Sequence, residues 1–163
     1  PEPEISIVSW ACAGDRKKAR AVLAIRLILR SENEGLDMGL SEDPGQQASF
    51  CVQADAQALS MMLRNLLENA TRYSPTGTTI EVKLMEHDGG TQVIVVDQGP
   101  GIDEAHRQSI TEPFRRLDQR YGGSGLGLSI VQRIVQLHHG KLTLENGVEG
   151  GLIASCWLPA TLS

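Results

Sequence analysis

Residues 93–101 of the chain read VIVVDQGPG, in which an apolar run ends at an acidic residue followed by glycines. The apolar run predicts a strand that is more fully buried than a one-sided strand. Asp97 ends this strand, and Gly99 and Gly101 allow the backbone to approach a ligand closely. The carboxylate is therefore a candidate ligand-binding group that projects into a cleft. An ordinary strand-ending turn, where Asp and Gly are common, is the alternative.

The residues before this strand predict a helix and a β-hairpin. The helix has apolar residues at helical spacing, Asp55 as its N-cap and an end before Ser74-Pro75. Apolar and polar residues then alternate over residues 80–84, which is typical of a half-buried strand. Residues 87–90 predict the hairpin turn that leads into the strand ending at Asp97.

One face of the predicted helix is polar. Asn65, Asn69 and Arg72 fall within an arc of about 60°, away from the apolar stripe. Amide oxygens are hard ligands suited to Mg²⁺, so this face is a candidate site for a phosphate and its metal. A solvated helix face is the alternative. Glu68 lies off this arc and is expected to form a surface ion pair with Arg72 at i+4.

A glycine-rich segment, GGSGLGL at residues 122–128, opens a helix predicted from about Gly125 to His138. Backbone N–H groups at a helix start attract phosphate when no side chain obstructs them. The segment follows a presumed loop, unlike a Rossmann fingerprint, and it lacks the Gly-Lys-Ser/Thr ending of a Walker P-loop. A flexible hinge is the alternative.

The remaining elements complete a single domain. Two final strands are predicted over residues 141–145 and 152–158. The first part, residues 1–49, is the least informative, with a short strand around Ile5 and a helix over residues 16–30. A further strand is expected over residues 49–53. We therefore predict an α/β two-layer sandwich over residues 1–163, with a mixed, mainly antiparallel sheet covered by about three helices on one face.

Composition limits the class of protein. The chain has 163 residues, 40% of them hydrophobic and 21% charged, which is a globular balance. Its net charge of −5 argues against general nucleic-acid binding. It lacks an apolar run of the roughly 20 residues that a bilayer span requires. It has neither a signal-peptide pattern nor an initiator Met, which suggests a fragment or a processed chain. The cysteines are expected to be reduced core residues in a cytosolic compartment: Cys12, Cys51 and Cys156.

The order of the motifs is more specific than any motif alone. Asn-x-x-x-Asn-Ala-x-Arg-Tyr, Asp-x-Gly-x-Gly, Glu-Pro-Phe-x-Arg and Gly-Gly-x-Gly-Leu-Gly-Leu follow one another along the chain. In this order they closely resemble the ATP-binding catalytic domain of bacterial sensor histidine kinases, within the gyrase, Hsp90, histidine kinase and MutL superfamily. The resemblance extends from about residue 52 to residue 158. It implies a Bergerat-type ATP-binding fold, ATP and Mg²⁺ as cofactors, and a mobile ATP lid over residues 102–124.

The resemblance also implies a role for each motif. Asp97 would accept a hydrogen bond from the adenine amino group, and Asn69 would bind Mg²⁺. Asn65 stands where hydrolysing relatives carry a glutamate that activates water. Because an amide has no useful basicity near neutral pH, ATP is expected to be held for transfer rather than hydrolysed. Asn65, Asn69 and Arg116 are the expected catalytic residues. The other nucleotide contacts are expected from Arg72, Tyr73, Gly99, Gly101, Ile102, Phe114, Gly123, Gly125, Leu126 and Gly127.

The phosphate acceptor of the family lies in a dimerisation helix, in a Ser/Thr-His-Glu-Leu-Arg-like context. The four histidines of this chain lack that context and are interpreted as structural: His87, His106, His138 and His139. The predicted function is therefore donation of the γ-phosphoryl group of ATP to a histidine on a separate dimerisation domain of the same parent kinase. Two-component signalling implies a response regulator receiver domain as a further partner.

The resemblance places the domain in the cytoplasm, without contact with nucleic acid or membrane, and its parent in the bacterial inner membrane. Two other functions stay open. One is an ATP-hydrolysing relative, or the neighbouring anti-sigma-type serine kinase. The other is a non-catalytic nucleotide-binding or interaction module.

Overall fold

The fold is seen in a computed structural model, which describes residues 4–8, 54–107, 109–112 and 125–160. Its elements are β1 (Glu4–Val8), α1 (Ala56–Tyr73), β2 (Thr79–His87), β3 (Gly90–Val96), α2 (Glu104–Arg107), α3 (Gly127–Leu137), β4 (Lys141–Asn146) and β5 (Leu152–Pro159). The strands form one five-stranded sheet in the order β1-β2-β3-β5-β4. β1 pairs with β2 in parallel, and every other neighbouring pair is antiparallel. The predicted mixed, mainly antiparallel sheet is confirmed.

Helix α1 begins and ends where its sequence predicts. The side chain of Asp55 accepts the N–H of Gln57 at 2.8 Å, which satisfies one of the free donors of the first turn. The helix stops at Ser74, which is extended because Pro75 follows it. Its apolar stripe is buried in the core: Leu59, Met62, Leu63, Leu66, Leu67 and Ala70.

The strands β2 and β3 form a hairpin with a two-residue turn. Asp88 and Gly89 both have positive φ, 47° and 68°, which is the conformation of a type I′ turn. The predicted strand over residues 80–84 is therefore confirmed and extends to His87. Glycine at residue 89 adopts this conformation without a steric penalty, and Asp tolerates it.

Strand β3 is buried on one face only, which corrects the expectation of a more fully buried strand. Val93 and Val95 are buried, whereas Ile94 and Val96 are half-buried. The reason is the single layer of helices: within the described residues, α1 and α3 share one apolar core with the inward face of the sheet. An apolar run alone does not distinguish one covered face from two.

The strand that closes the core, β5, alternates as a one-sided strand should. Its inward residues include Cys156, which is fully buried, and burial raises the pKa of its thiol to about 12. The prediction of a small core residue is confirmed for this cysteine. Cys12 and Cys51 lie outside the described residues, as do the helix predicted over residues 16–30 and the strand over residues 49–53.

The longest helix, α1, has 18 residues, and none of the helices in the described part of the chain combines the length and apolar character of a membrane span.

Candidate functional site

Asp97 lies directly after β3 and is 4% exposed. Its Oδ1 atom accepts two backbone N–H groups, from Gly99 and from Leu152, each at 2.9 Å. Its own N–H donates to the carbonyl oxygen of Leu152 at 3.0 Å. The other carboxylate oxygen has no hydrogen-bond donor among the residues that the structure describes. The carboxylate is thus fixed through one oxygen and leaves the second available.

Burial dominates the electrostatics of this group. It raises the pKa of Asp97 above the ordinary value of 3.8, while the bonds from Leu152 and Gly99 partly lower the pKa again. Burying a carboxylate oxygen for which the described residues supply no hydrogen-bond donor costs free energy. A ligand that brings an N–H group offsets this cost.

Two glycines allow the close packing around Asp97. A Cβ atom on Gly99 would lie 2.8 Å from the carbonyl oxygen of Tyr73. A Cβ atom on Gly151 would overlap the carbonyl oxygen of Asp97, and Gly151 also has a φ of +82°. The structure therefore brings together Tyr73 at the end of α1, Gly99 after β3 and the start of β5.

A second cluster lies where α1 meets the start of α3. The Nδ2 atom of Asn65 donates to the carbonyl oxygen of Met61 at 2.7 Å, one turn earlier in the helix. This bond leaves the Oδ1 atom on the side of α3, where a Cβ on Gly127 would lie 3.4 Å from it. The predicted neighbours Asn65 and Gly127 are therefore adjacent.

The N-cap residue of helix α3 is Leu126, whose side chain makes no capping hydrogen bond, and Gly125 before it has a φ of +73°. The N–H groups of a first turn have no partner inside their own helix, and a helix start of this kind is suited to bind an anion.

Asn69 and Arg72 lie on α1 between these two clusters. Asn69 is half-buried, and its amide makes no hydrogen bond within the described residues. Arg72 is exposed, and the expected ion pair with Glu68 is absent from the described part of the structure. That expectation was wrong because an exposed i,i+4 pair gains too little to hold two long side chains together.

Helix α1 sets the distance between the two clusters. From Asn65 to Tyr73 the helix rises about 12 Å, at about 1.5 Å per residue. One end of this span contacts Gly127 and the other contacts Gly99. Motifs that are far apart in the chain thereby lie next to one another along the side of α1.

The predicted lid is described only at its beginning. Ile102 and Ile110 are buried in the core, and the side chain of Asp103 accepts the N–H of Ala105 at 3.0 Å as α2 begins. The one-turn helix α2 was not predicted, because four residues are too few to show helical periodicity. Three predicted site residues lie outside the described residues: Phe114, Arg116 and Gly123.

Sequence reasoning missed the contribution of the β4–β5 hairpin. Asn146 ends β4 and contacts Ile102 through its side chain, while Gly151 and Leu152 contact Asp97. Two signals were present in the sequence. Asn is depleted in strands, and the Gly150-Gly151 pair marks a close backbone approach.

The oxygen ligands of the candidate site suit Mg²⁺ better than a softer metal. The described residues contain no group of three or more His, Cys, Asp or Glu side chains that would enclose an ion. Mg²⁺ usually binds one or two protein oxygens, phosphate oxygens and several waters. The amide oxygen of Asn69, free of other described bonds, fits that mode of binding.

The histidines of the described region have structural surroundings. The ring of His138 bonds through Nδ1 to the carbonyl oxygen of Ile134 at 2.8 Å, and its Nε2 accepts the N–H of Asp55 at 3.4 Å. This side chain ties the end of α3 to the start of α1. His87 lies 3.2 Å from the exposed carboxylate of Asp88.

Residues 54–162 match the model of the family described as histidine kinase-, DNA gyrase B-, and HSP90-like ATPase. The chain is 55% identical over 106 residues to the sensor protein BasS of Escherichia coli, a match that covers 65% of this chain and 29% of that protein. It is 43% identical over 103 residues to the signal transduction histidine-protein kinase/phosphatase MprB of Mycolicibacterium smegmatis, covering 61% of this chain and 20% of that one.

The fold is similar to a solved structure of the catalytic domain of histidine kinase ThkA. The TM-score is 0.61 at 30% sequence identity, and the match covers 67% of this chain and 70% of that chain. The predicted fold class is confirmed by this likeness. The chain spans less than a third of the length of the sensor proteins that it matches, 29% and 30% for the two BasS proteins of Escherichia coli and Salmonella typhimurium.

Proposed function

The chain belongs to the histidine kinase-, DNA gyrase B- and HSP90-like ATPase family, and from this we propose that it binds ATP with Mg²⁺ and donates the γ-phosphoryl group to a histidine on a separate dimerisation domain. The observation that carries the proposal is the buried carboxylate of Asp97, with one oxygen held by two backbone N–H groups and the other without a described partner.

The adenine base would be read by that second oxygen. The exocyclic amino group of adenine is a donor, whereas guanine carries a carbonyl oxygen at the same place. A buried ionised acceptor therefore favours adenine and repels guanine. Gly99 and Gly101 would let the base lie against the backbone, with the buried side chain of Ile102 beside it.

The triphosphate would lie along α1, toward the start of α3. The N–H groups at the start of α3, together with Gly125 and Gly127, would hold phosphate oxygens. Asn69 would coordinate Mg²⁺, and the exposed guanidinium of Arg72 would contact a phosphate. The metal, when bound, would neutralise charge on the transferred phosphoryl group.

Transfer rather than hydrolysis is supported by Asn65. Its amide donates to the carbonyl oxygen of Met61 and faces Gly127 with its oxygen. Neither group of an amide removes a proton from water at neutral pH. The side chain would orient phosphate or water without activating a nucleophile, so catalysis would consist of positioning and charge stabilisation.

The acceptor histidine would come from another domain of a sensor histidine kinase. The described histidines are bound in structural contacts or exposed on turns and short helices. Relatives named as sensor proteins support a parent that acts with a response regulator in two-component signalling. We extend the proposal to a cytoplasmic position for this domain beneath a membrane-bound parent.

Calorimetric titration of the chain with ATP and with GTP, each with and without Mg²⁺, tests the proposal first. We expect ATP to bind, Mg²⁺ to strengthen the binding, and GTP to bind at least tenfold more weakly. Addition of a dimerisation domain that carries the acceptor histidine, with radiolabelled ATP, then tests phosphoryl transfer. Equal affinity for ATP and GTP would contradict the role of Asp97.

The same assay separates the alternatives. Release of inorganic phosphate by the chain alone would favour a hydrolysing relative. Label on a serine of an added acceptor would favour the serine kinase. Tight ATP binding with no transfer to any acceptor histidine would favour a non-catalytic nucleotide-binding module.

A further inference from the structure

Asn146, the last residue of β4, holds the backbone of Ile102 with both atoms of its side-chain amide. Its Oδ1 accepts the N–H of Ile102 at 2.8 Å, and its Nδ2 donates to the carbonyl oxygen of Ile102, also at 2.8 Å. Antiparallel strands exchange the same pair of bonds between two opposite residues. The side chain of Asn146 therefore bonds to the backbone of Ile102 in the way that an opposite residue of a neighbouring strand would.

Ile102 is the point at which the segment after β3 passes into the predicted lid. It is 4% exposed, and the next residue, Asp103, receives the N–H of Ala105 at the start of α2. At its other end the segment is fixed by the bonds between Asp97 and Leu152. Residues 97–102 are thus anchored at both ends, by β5 at one end and by Asn146 at the other.

The amide also limits what residue 101 can be. Gly101 has a φ of +73°, and a Cβ atom there would lie 2.7 Å from the Oδ1 atom of Asn146. Glycine is required both by the backbone conformation and by the space that this side chain occupies. Asn146 thereby fixes the path of the backbone on which the adenine would lie.

Few side chains can replace this amide. The two bonds need one donor and one acceptor on the same branch, close to the backbone. An ionised Asp has no donor, Ala has neither group, and the longer Gln would enter the space of Gly101. This pair of hydrogen bonds therefore requires Asn at residue 146. The neighbouring residues of β4 do not by themselves call for an Asn.

We propose that Asn146 is a positioning residue for adenine-nucleotide binding, which acts through the backbone of Gly101 and Ile102 and not by contact with the ligand. The inference rests on the proposed function, because it concerns how the base-binding segment of that site is held. It predicts that loss of the amide weakens nucleotide binding although the core stays folded.

The test compares N146A and N146D with the matched control E145Q. Glu145 precedes Asn146 on β4 and is exposed, and its side chain makes no hydrogen bond or ion pair with the described residues. ATP affinity is measured by calorimetry, stability by urea denaturation, and exchange of the Ile102 amide hydrogen by NMR. We expect about five- to tenfold weaker ATP binding for N146A and N146D, and no change for E145Q.

A pH profile of N146D distinguishes positioning from general loss of structure. The ionised carboxylate keeps the bond from the N–H of Ile102 but opposes its carbonyl oxygen. Once protonated, it donates to that oxygen and restores both bonds. The ATP affinity of N146D, relative to the wild-type chain, should therefore recover as the pH falls toward the pKa of the introduced carboxyl, ordinarily about 3.9, whereas N146A should not recover. The carboxylates of Asp103, Glu145 and Glu149 are exposed and are common to the wild-type chain, N146A and N146D.

The possible outcomes separate this inference from the proposed function. If the wild-type chain fails to bind ATP, the proposed function is wrong; faster exchange of the Ile102 amide in N146A but not in E145Q would still support the backbone contact. If the wild-type chain binds ATP and both variants bind as tightly as E145Q, the inference alone is wrong. Equal pH profiles for N146D and N146A would also overturn it.

Discussion

The two ends of the candidate site are built differently. Around Asp97 the contacts are backbone hydrogen bonds to Gly99 and Leu152 and close backbone approaches at glycines. Around Asn65 and Asn69 the groups are side chains on one helix face, with few described bonds and the start of α3 opposite. At the first end the groups are bonded within the fold itself. At the second end some hydrogen-bond donors and acceptors of the side chains have no described partner.

The difference matches what each end would recognise. A base has fixed donors and acceptors, so its recognition requires an acceptor held in one place before binding. A triphosphate with its metal is highly charged, flexible and hydrated, and side chains that keep rotational freedom adapt to it. We therefore expect changes at the glycines of the first end to affect folding, a change of its carboxylate to affect base recognition, and changes at the second end to affect metal-dependent binding most.

The largest effect is expected where the first end is most tightly packed. In G151A the new Cβ overlaps the carbonyl oxygen of Asp97 and the positive φ adds strain, so we expect a loss of about 2–5 kcal/mol in the free energy of unfolding. The control is G150A, where φ is also positive, +101°, but a Cβ would meet nothing within 4 Å. It should lose only about 1–2 kcal/mol. Urea denaturation measures both, and equal losses would contradict the tight contact.

Asp97→Asn keeps the fold and removes the ligand contact. The amide oxygen still accepts the two backbone N–H groups, but an NH₂ group replaces the free oxygen and opposes the adenine amino group. ATP affinity should fall by about 1–3 kcal/mol while the protein stays folded. Calorimetry measures the loss, with D103N as a control carboxylate that is exposed. Unchanged affinity would mean that the base is read elsewhere.

A smaller effect is expected for Asn69→Ala at the second end. The amide makes no described bond in the folded chain, so stability should change little and Mg²⁺-dependent ATP binding should fall by about 0.5–1.5 kcal/mol. Metal-free binding should fall less. Titrations with and without Mg²⁺ measure both, and E68A, on the same helix, is the control. Equal losses with and without the metal would indicate a purely structural Asn69.

The smallest effect is on the pH dependence of stability. Burial raises the pKa of Asp97, so the folded chain holds this proton more tightly than the unfolded chain does. The free energy of unfolding that this carboxyl contributes is therefore greatest below its ordinary pKa of 3.8 and decreases as the pH rises through the raised value. This decrease should be absent in D97N. In the wild-type chain it should amount to less than about 1.4 kcal/mol per pH unit. Urea denaturation between pH 4 and pH 7 measures it; E68Q, which changes an exposed carboxyl without a described ion pair, should keep the wild-type slope.

The sequence predicted local structure well because its signals are local. The N-cap at Asp55, the stop before Pro75 and the turn at residues 88–89 depend on neighbouring residues and are confirmed. The pairing of Asn65 with Gly127 and of Tyr73 with Gly99 depends on tertiary packing, and only the family motif order anticipated it.

Two features could not be predicted. Residues 93–96 are apolar throughout, and periodicity cannot tell whether one or both faces of such a strand are covered. Asn146 and the Gly150-Gly151 pair stand out in the sequence, but the partner of Asn146 could not be predicted, because Ile102 lies 44 positions away. The roles assigned to Asp97, Asn69 and the glycines stay predictions until binding is measured.

The relative direction of α1 and α3 bears on the orientation in which a nucleotide would bind. Because His138 contacts Asp55 and Gly127 contacts Asn65, α3 runs antiparallel to α1. The partial positive charge at the start of α3 and the partial negative charge at the end of α1, beside Gly99, therefore lie at opposite ends of the span from Asn65 to Tyr73. ATP carries its amino group at one end and its negative charge at the other. A nucleotide bound as proposed would lie along this polarity, with its amino group toward the negative end and its phosphates toward the positive end.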